Sequence, residues 1–169
     1  MNKQILLCVE TNKKARTDYQ YVVATIKRFY QNNRKIIYKP IFLDSKTKYN
    51  SKNKVKEINN YVKKFPGETS VIYFIDVDDY DTSYETKKLY DDIKAYCDKN
   101  EYDFVFFTKD IEDVYWGKQV GDNEKVKKVE EFNRKQLINE VDKFRLQVGE
   151  HKSHCSNILN VFDKYWVRK

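Results

Sequence analysis

The sequence has few of the residues that mark tight turns, disulfides or membrane spans. Among its 169 residues are 4 glycines, 2 prolines and 3 cysteines. An odd number of widely separated cysteines without a C-x-x-C pair argues against a disulfide framework and against a zinc site. No apolar run approaches the roughly 18 residues that cross a bilayer, and the N-terminus lacks the cleavage pattern of a signal peptide. We therefore expect a cytoplasmic protein with reduced thiols and no membrane partner.

Several common catalytic motifs are absent as well. There is no G-x-x-x-x-G-K-[ST], G-x-G-x-x-G or G-x-S-x-G segment, so neither a P-loop enzyme nor a serine hydrolase is supported. Positive charge, by contrast, is abundant: 33 lysines and arginines against 26 acids give a formal net charge of +7. This excess favours a polyanionic partner such as nucleic acid. The alternative is a lysine-rich composition that reflects an AT-rich genome.

Apolar runs of strand length alternate with segments of helical periodicity. Right-handed crossovers and a parallel sheet follow from such alternation. We therefore expect an α/β fold with a four-stranded, mainly parallel, Rossmann-like sheet flanked by helices. The predicted strands are residues 4–10, 35–43, 69–78 and 102–108, and the predicted helices between them are 18–31, 54–65 and 81–100.

The composition changes after Trp116. Apolar residues at helical spacing predict one long amphipathic helix within 117–148 and a last helix within 156–167. We thus divide the chain into an α/β core, residues 1–116, and a C-terminal helical extension, residues 117–169. Packing of the extension against the sheet is the favoured interpretation, with subunit pairing or contact with a ligand as alternatives.

Acidic residues end two of the predicted strands. Asp76 and Asp78 are two apart, so in an extended strand their side chains point to one side. Glu10 ends the first strand, which neighbours the third in the strand order 2-1-3-4, at the switch point where such sheets bind ligands. Carboxylates this close repel one another, and a hard cation removes the penalty. The sequence therefore predicts Mg²⁺ or Mn²⁺ held by these three acids.

The alternative is that the acids near the end of the third strand only form a turn and cap a helix. That role suits Asp79 and Asp81. It does not explain an acid inside an apolar strand, where an unpaired charge is costly.

The same acidic residues carry a family resemblance. The strand ending CVE and the later strand ending YFIDVDD resemble the two acidic motifs of the Toprim domain, which is found in topoisomerases, primases and several nucleases. Over roughly residues 4–116 the chain is most similar to RloB-like proteins and to the Toprim domain of OLD-type nucleases, which are associated with mobile-element and phage-defence loci. The segment DIEDVYW resembles their glutamate-centred segment, with Glu112 as the glutamate. Thr11 stands where the family usually has glycine.

The resemblance implies a Toprim-type, magnesium-dependent nuclease that hydrolyses phosphodiester bonds and acts as an effector in phage or mobile-element defence. Its catalytic residues would be Glu10, Asp76, Asp78 and Glu112, with Asp76 and Asp78 on the magnesium ion and Glu10 as a second metal ligand or general base. No ATPase segment is present, so an ATPase partner would be a separate chain.

Basic residues near the same strand ends are candidates for nucleic-acid binding, since they would neutralise phosphates. They are Lys13, Lys14, Arg16 and Lys109. The alternative for each is a solvated loop charge. The rival function, favoured by Thr11, is a non-catalytic binding or sensor subunit that keeps the fold and acts through a protein partner.

Overall fold

The computed structural model describes residues 1–169 and contains one four-stranded parallel sheet. The strands are β1 (Lys3–Val9), β2 (Ile36–Phe42), β3 (Glu68–Asp76) and β4 (Asp103–Phe107). They lie in the order β2-β1-β3-β4, and all three neighbouring pairs are parallel. The expected α/β class, with helices on both sides of the sheet, is therefore confirmed.

Alternate residues of the central strands point into two separate apolar layers, as the two-residue period of a strand requires. The helices on the two sides of the sheet are α1 (Thr17–Phe29), α2 (Lys52–Lys64), α3 (Tyr84–Lys99), α4 (Ile111–Trp116), α5 (Lys125–Arg134) and α6 (Ile158–Phe162). Ile5 and Leu7 of β1 belong to the layer that contains α1, α4, α5 and α6, whereas Leu6 and Cys8 belong to the layer that contains α2 and α3.

Three of the helices begin with a side-chain cap. Ser51, Ser83 and Asp110 accept hydrogen bonds from main-chain N–H groups in the first turns of α2, α3 and α4, which satisfies donors that the helix leaves free. Helix α1 differs, because Arg16 precedes it in a left-handed conformation without a capping bond. Asp18, the second residue of the helix, is buried in the first turn.

The C-terminal extension is less helical than expected. The single amphipathic helix predicted within 117–148 is wrong in extent, because α5 ends at Arg134 and Gln136 takes a left-handed conformation with φ of 54°. Two 3₁₀ turns, Leu137–Glu140 and Lys143–Leu146, follow it. The last helix covers only Ile158–Phe162.

The extension packs against the sheet, as favoured. Val129, Phe132, Leu146 and Phe162 belong to the same apolar layer as β1 and β3. The side chain of Asn157 also bonds the edge strand β4, accepting from one main-chain N–H and donating to one carbonyl, both at 3.0 Å. No helix of the chain is both long enough and apolar enough to span a membrane.

Candidate active site

The carboxyl ends of β1 and β3 bring two of the predicted acids together. Glu10 directly follows β1, and Asp76 is the last residue of β3, its hydrogen-bonded neighbour. An Oε2 atom of Glu10 accepts a hydrogen bond from the main-chain N–H of Asp76 at 2.5 Å. The Oδ1 atom of Asp76 in turn accepts from the N–H of Ile111, the first residue of α4, at 3.0 Å. Both acids therefore lie at one edge of the parallel sheet, held by main-chain donors.

Asp78 reaches this region by a route that strand alternation did not predict. β3 ends at Asp76, two residues earlier than expected, and Asp78 takes a left-handed conformation with φ of 50°. Its N–H donates to the carbonyl of Lys109 at 2.7 Å. Its side chain, 47% exposed, forms an ion pair with Lys46. The argument that Asp76 and Asp78 point to one side of a strand is therefore wrong, although Asp78 remains close to the site.

Lys46 supplies an internal positive charge to the cluster. It begins the 3₁₀ turn Lys46–Lys48, shortly after β2. Its ammonium donates to the main-chain carbonyl of Asp76 at 2.9 Å and pairs with Asp78. It also attracts the carboxylate of Glu10, which opposes the rise in the pKa of that group.

Two further acids complete the cluster. Asp18 of α1, which was not among the residues predicted for the site, is buried and accepts a hydrogen bond from the N–H of Thr11 at 3.3 Å. No local sequence signal distinguishes it, because the docking of α1 brings it to the sheet edge. Glu112 of α4, predicted from the resemblance, has a side chain only 1% exposed.

Glu112 is the least satisfied polar group of the site. Neither of its buried carboxylate oxygens has a hydrogen-bond partner. The ammonium of Lys125 lies 3.2 Å from Oε2, and it also lies 3.5 Å from Asp110. The attraction of Lys125 and the N–H of Glu112 itself oppose the rise in the pKa of this carboxyl. A buried carboxylate with so few donors is uncommon in native structures and is consistent with a bound water, a bound ion or a functional role.

The environment favours the neutral form of these acids. Burial, assisted by repulsion from Asp18 and Asp78, raises the pKa of Glu10 to about 8. Burial and the neighbouring Glu112 raise the pKa of Asp18 to about 7. Burial and the charge of Glu10 raise the pKa of Asp76 well above its usual value, and burial also raises the pKa of Glu112. The attraction of Lys46 for Glu10, and of Lys125 for Asp18 and Glu112, opposes these shifts but does not cancel them.

The donor set suits a hard divalent cation in chemistry but not in its present placement. Every candidate ligand is a carboxylate oxygen, the type that Mg²⁺ prefers, and Oε1 of Glu112 has no hydrogen-bond partner of its own. However, no three Asp, Glu, His or Cys side chains are grouped closely enough to share an ion. Glu10 and Asp76 are engaged with main-chain N–H groups. Binding of a cation by these residues therefore requires their side chains to rotate toward it.

The predicted basic residues lie in loops at the carboxyl edge. Lys13, Lys14 and Arg16 are exposed in the β1–α1 loop, and Lys109 is exposed in the β4–α4 loop. The guanidinium of Arg16 lies over two aromatic rings at 5.5 and 5.7 Å. None of these four cations takes part in an ion pair of the structure. They are therefore free to meet an anionic ligand.

No family model, no curated protein and no solved structure matches this chain. The Toprim resemblance thus stays a prediction from short motifs, and the site itself is the stronger guide to function.

Proposed function

We propose that the protein is a nuclease that uses a divalent metal ion to hydrolyse phosphodiester bonds of nucleic acid. The observation that carries this proposal is the acidic cluster at the carboxyl edge of β1 and β3, whose pKa values stay raised, with the buried carboxylate of Glu112 that has Lys125 as its only cation. Buried charges are normally paired or coordinate a metal. A cluster whose own lysines leave its pKa values raised therefore supports a bound cation in the working protein.

The residues of the cluster would divide the work. Asp76 and Asp78 would hold Mg²⁺ or Mn²⁺, with Glu10 as a further ligand or as the base that takes a proton from the attacking water. A metal ion in such a site polarises the phosphate and lowers the pKa of water. Lys13 and Lys109, exposed on flanking loops, would neutralise phosphate charge.

The biological setting is proposed from the resemblance alone. RloB-like and OLD-type proteins suggest an effector in defence against phage or mobile elements, with a separate ATPase chain as partner.

The test is incubation with plasmid, single-stranded DNA and RNA in the presence of Mn²⁺ or Mg²⁺. We expect cleavage of at least one substrate. We expect Asp76→Asn to reduce the cleavage rate by a factor on the order of 100 or more, because the metal loses a carboxylate ligand. The matched control is Asp98→Asn, an exposed acid on α3 in the opposite helix layer, which should cleave like the wild type. Absence of cleavage of all three substrates by folded protein would contradict the proposal.

A second candidate function, a non-catalytic binding or sensor subunit, is favoured by one observation. Main-chain N–H groups engage the carboxylates of Glu10 and Asp76, and the Lys46 ammonium pairs with Asp78. If Lys46 serves as the permanent counter-ion, Mg²⁺ should not raise the melting temperature. A metal-dependent increase that is lost in Asp76→Asn would instead support the nuclease.

A further inference from the structure

A surface groove is lined by α1 on one side and by the C-terminal extension on the other, beside the contact between them. It has a volume of about 980 Å³ and runs between the outer side of α1 and the segment formed by α5 and the turn after it. Val23 and Ala24 of α1 and Ile138 of the extension contribute apolar surface to it. The groove lies on the helix layer that contains α1, α5 and α6.

The rim of the groove is strongly basic. Lys14 and Arg16 lie at one end of α1, and Lys27, Arg28 and Lys169 lie at the other, against a single acid, Glu130. None of these five cations takes part in an ion pair of the structure. No side-chain carboxylate therefore pairs with them, and only the Lys169 ammonium has a protein acceptor, the main-chain carbonyl of Lys27 at 2.6 Å.

Helix electrostatics account for only half of this pattern. Cations in the last turn of a helix, such as Lys27 and Arg28, are favourable beside its negative end. Lys14 and Arg16 precede the first turn of the same helix, where the macrodipole disfavours positive charge. Cations at both ends of α1 are instead favourable for binding a polyanion that lies along the helix.

The dimensions and chemistry of the groove match one strand. From Arg16 to Arg28 the helix rises roughly 18 Å, enough for several consecutive phosphates. Proteins bind single strands with a basic groove whose aromatic and apolar surface meets the unpaired bases. The half-buried ring of Tyr19 and the apolar side chains of the groove provide such surface. In a duplex the bases are paired with one another, so they cannot pack on this aromatic and apolar surface.

We infer that this groove binds a single strand of nucleic acid and leads it toward the acidic cluster. Lys14 and Arg16 belong to the loop that joins Glu10 to α1, so a strand lying along α1 reaches the carboxyl edge of β1. The direction of the strand rests on the proposed function; its binding does not. The C-terminal extension, which forms one wall, is thereby part of the binding surface.

The test is fluorescence anisotropy with a labelled oligothymidylate of about 15 nucleotides, in EDTA, over a range of salt concentrations. The test variant is Lys27→Gln/Arg28→Gln, which is remote from the acidic cluster. The control is Lys63→Gln/Lys64→Gln, which removes the two exposed cations from the last turn of α2 in the opposite layer. The two variants thus match in charge, exposure and position within a helix.

Each lost phosphate contact should lower the slope of log K against log salt by about 0.7. At about 0.1 M salt this equals roughly 5-fold per contact, so the test variant should bind about 25-fold more weakly, with a slope smaller by about 1.4. The control should change affinity less than about twofold. A duplex of the same length should bind more weakly than the single strand.

An unchanged affinity in the test variant, an equal loss in the control, or equal binding of duplex would each overturn the inference. EDTA separates this result from catalysis. Groove binding without any metal-dependent cleavage would refute the proposed nuclease alone, whereas cleavage with intact strand binding in Lys27→Gln/Arg28→Gln would refute the groove alone.

Discussion

The substitution Glu10→Gln should stabilise the metal-free protein, by an amount that grows with pH. Glutamine keeps the size of the side chain and an oxygen that accepts from the N–H of Asp76, the contact that Glu10 makes at 2.5 Å. The substitution removes the ability of the side chain to ionise. The two proteins should therefore unfold with nearly equal free energies at about pH 4, where Glu10 is neutral in both states.

The magnitude follows from linkage. Burial raises the pKa of Glu10 to about 8 in the folded chain, against 4.5 in the unfolded chain. As pH rises through this window, the unfolded wild type loses a proton that the folded wild type retains, so the stability of the wild type falls. About 3.5 pH units at about 1.4 kcal/mol each set an upper limit near 5 kcal/mol, fully developed above about pH 8. Loss of the attraction between Glu10 and Lys46 will reduce the gain.

The assay is urea unfolding of both proteins in EDTA at several pH values, with equal urea dependence confirming that the folded states are equally compact. Asp98→Asn, an exposed acid far from the cluster, serves as the control and should show no such trend. A Glu10→Gln variant that is less stable than the wild type at about pH 8 would refute the reasoning. It would mean that Lys46 and the Asp76 N–H compensate an ionised Glu10.

Three further predictions concern the metal, a buried ion pair and the extension. Mg²⁺ or Mn²⁺ at about 100 times its dissociation constant should stabilise the wild type by about 2.7 kcal/mol in thermal melts, and it should leave the stability of Asp76→Asn unchanged. A wild type that the metal does not stabilise would count against the metal site. Lys125→Met should cost on the order of 3 kcal/mol near pH 8, since Glu112 loses its only cation, and the cost should shrink as pH falls, because burial raises the pKa of Glu112 and favours its neutral form. Urea melts should show no comparable loss in the exposed control Lys127→Met. Asn157→Ala should cost about 1–3 kcal/mol by denaturant unfolding, because two main-chain groups of β4 lose their partner; a loss below the error of the melts would contradict this role.

The sheet was predictable because its two central strands, β1 and β3, are apolar on both faces. Continuous runs such as that within β3 are typical of strands covered by helices on both sides, and helices of 3.6-residue periodicity between them require parallel connections. The proximity of Glu10 and Asp76 was also predictable, because the carboxyl ends of neighbouring parallel strands lie at one edge of the sheet. The C-terminal extension was harder. Apolar spacing within 117–148 indicated the buried side but could not show that the chain leaves the helix near Gln136.

The sequence by itself thus determined the α/β class, the four strands, the three helices that connect them, and the pairing of two acids at the sheet edge. Only the tertiary structure decided that Asp18 joins the acidic cluster and how Asp78 is oriented, whereas Glu112 was expected there from the family resemblance. Asp18 lies near Glu112 because α1 and α4 dock on the same layer. Asp78 turns to Lys46 because β3 ends at Asp76. These contacts join residues far apart in the chain. Local periodicity records which side of an element is buried, and it carries no information about which distant charges that burial brings together.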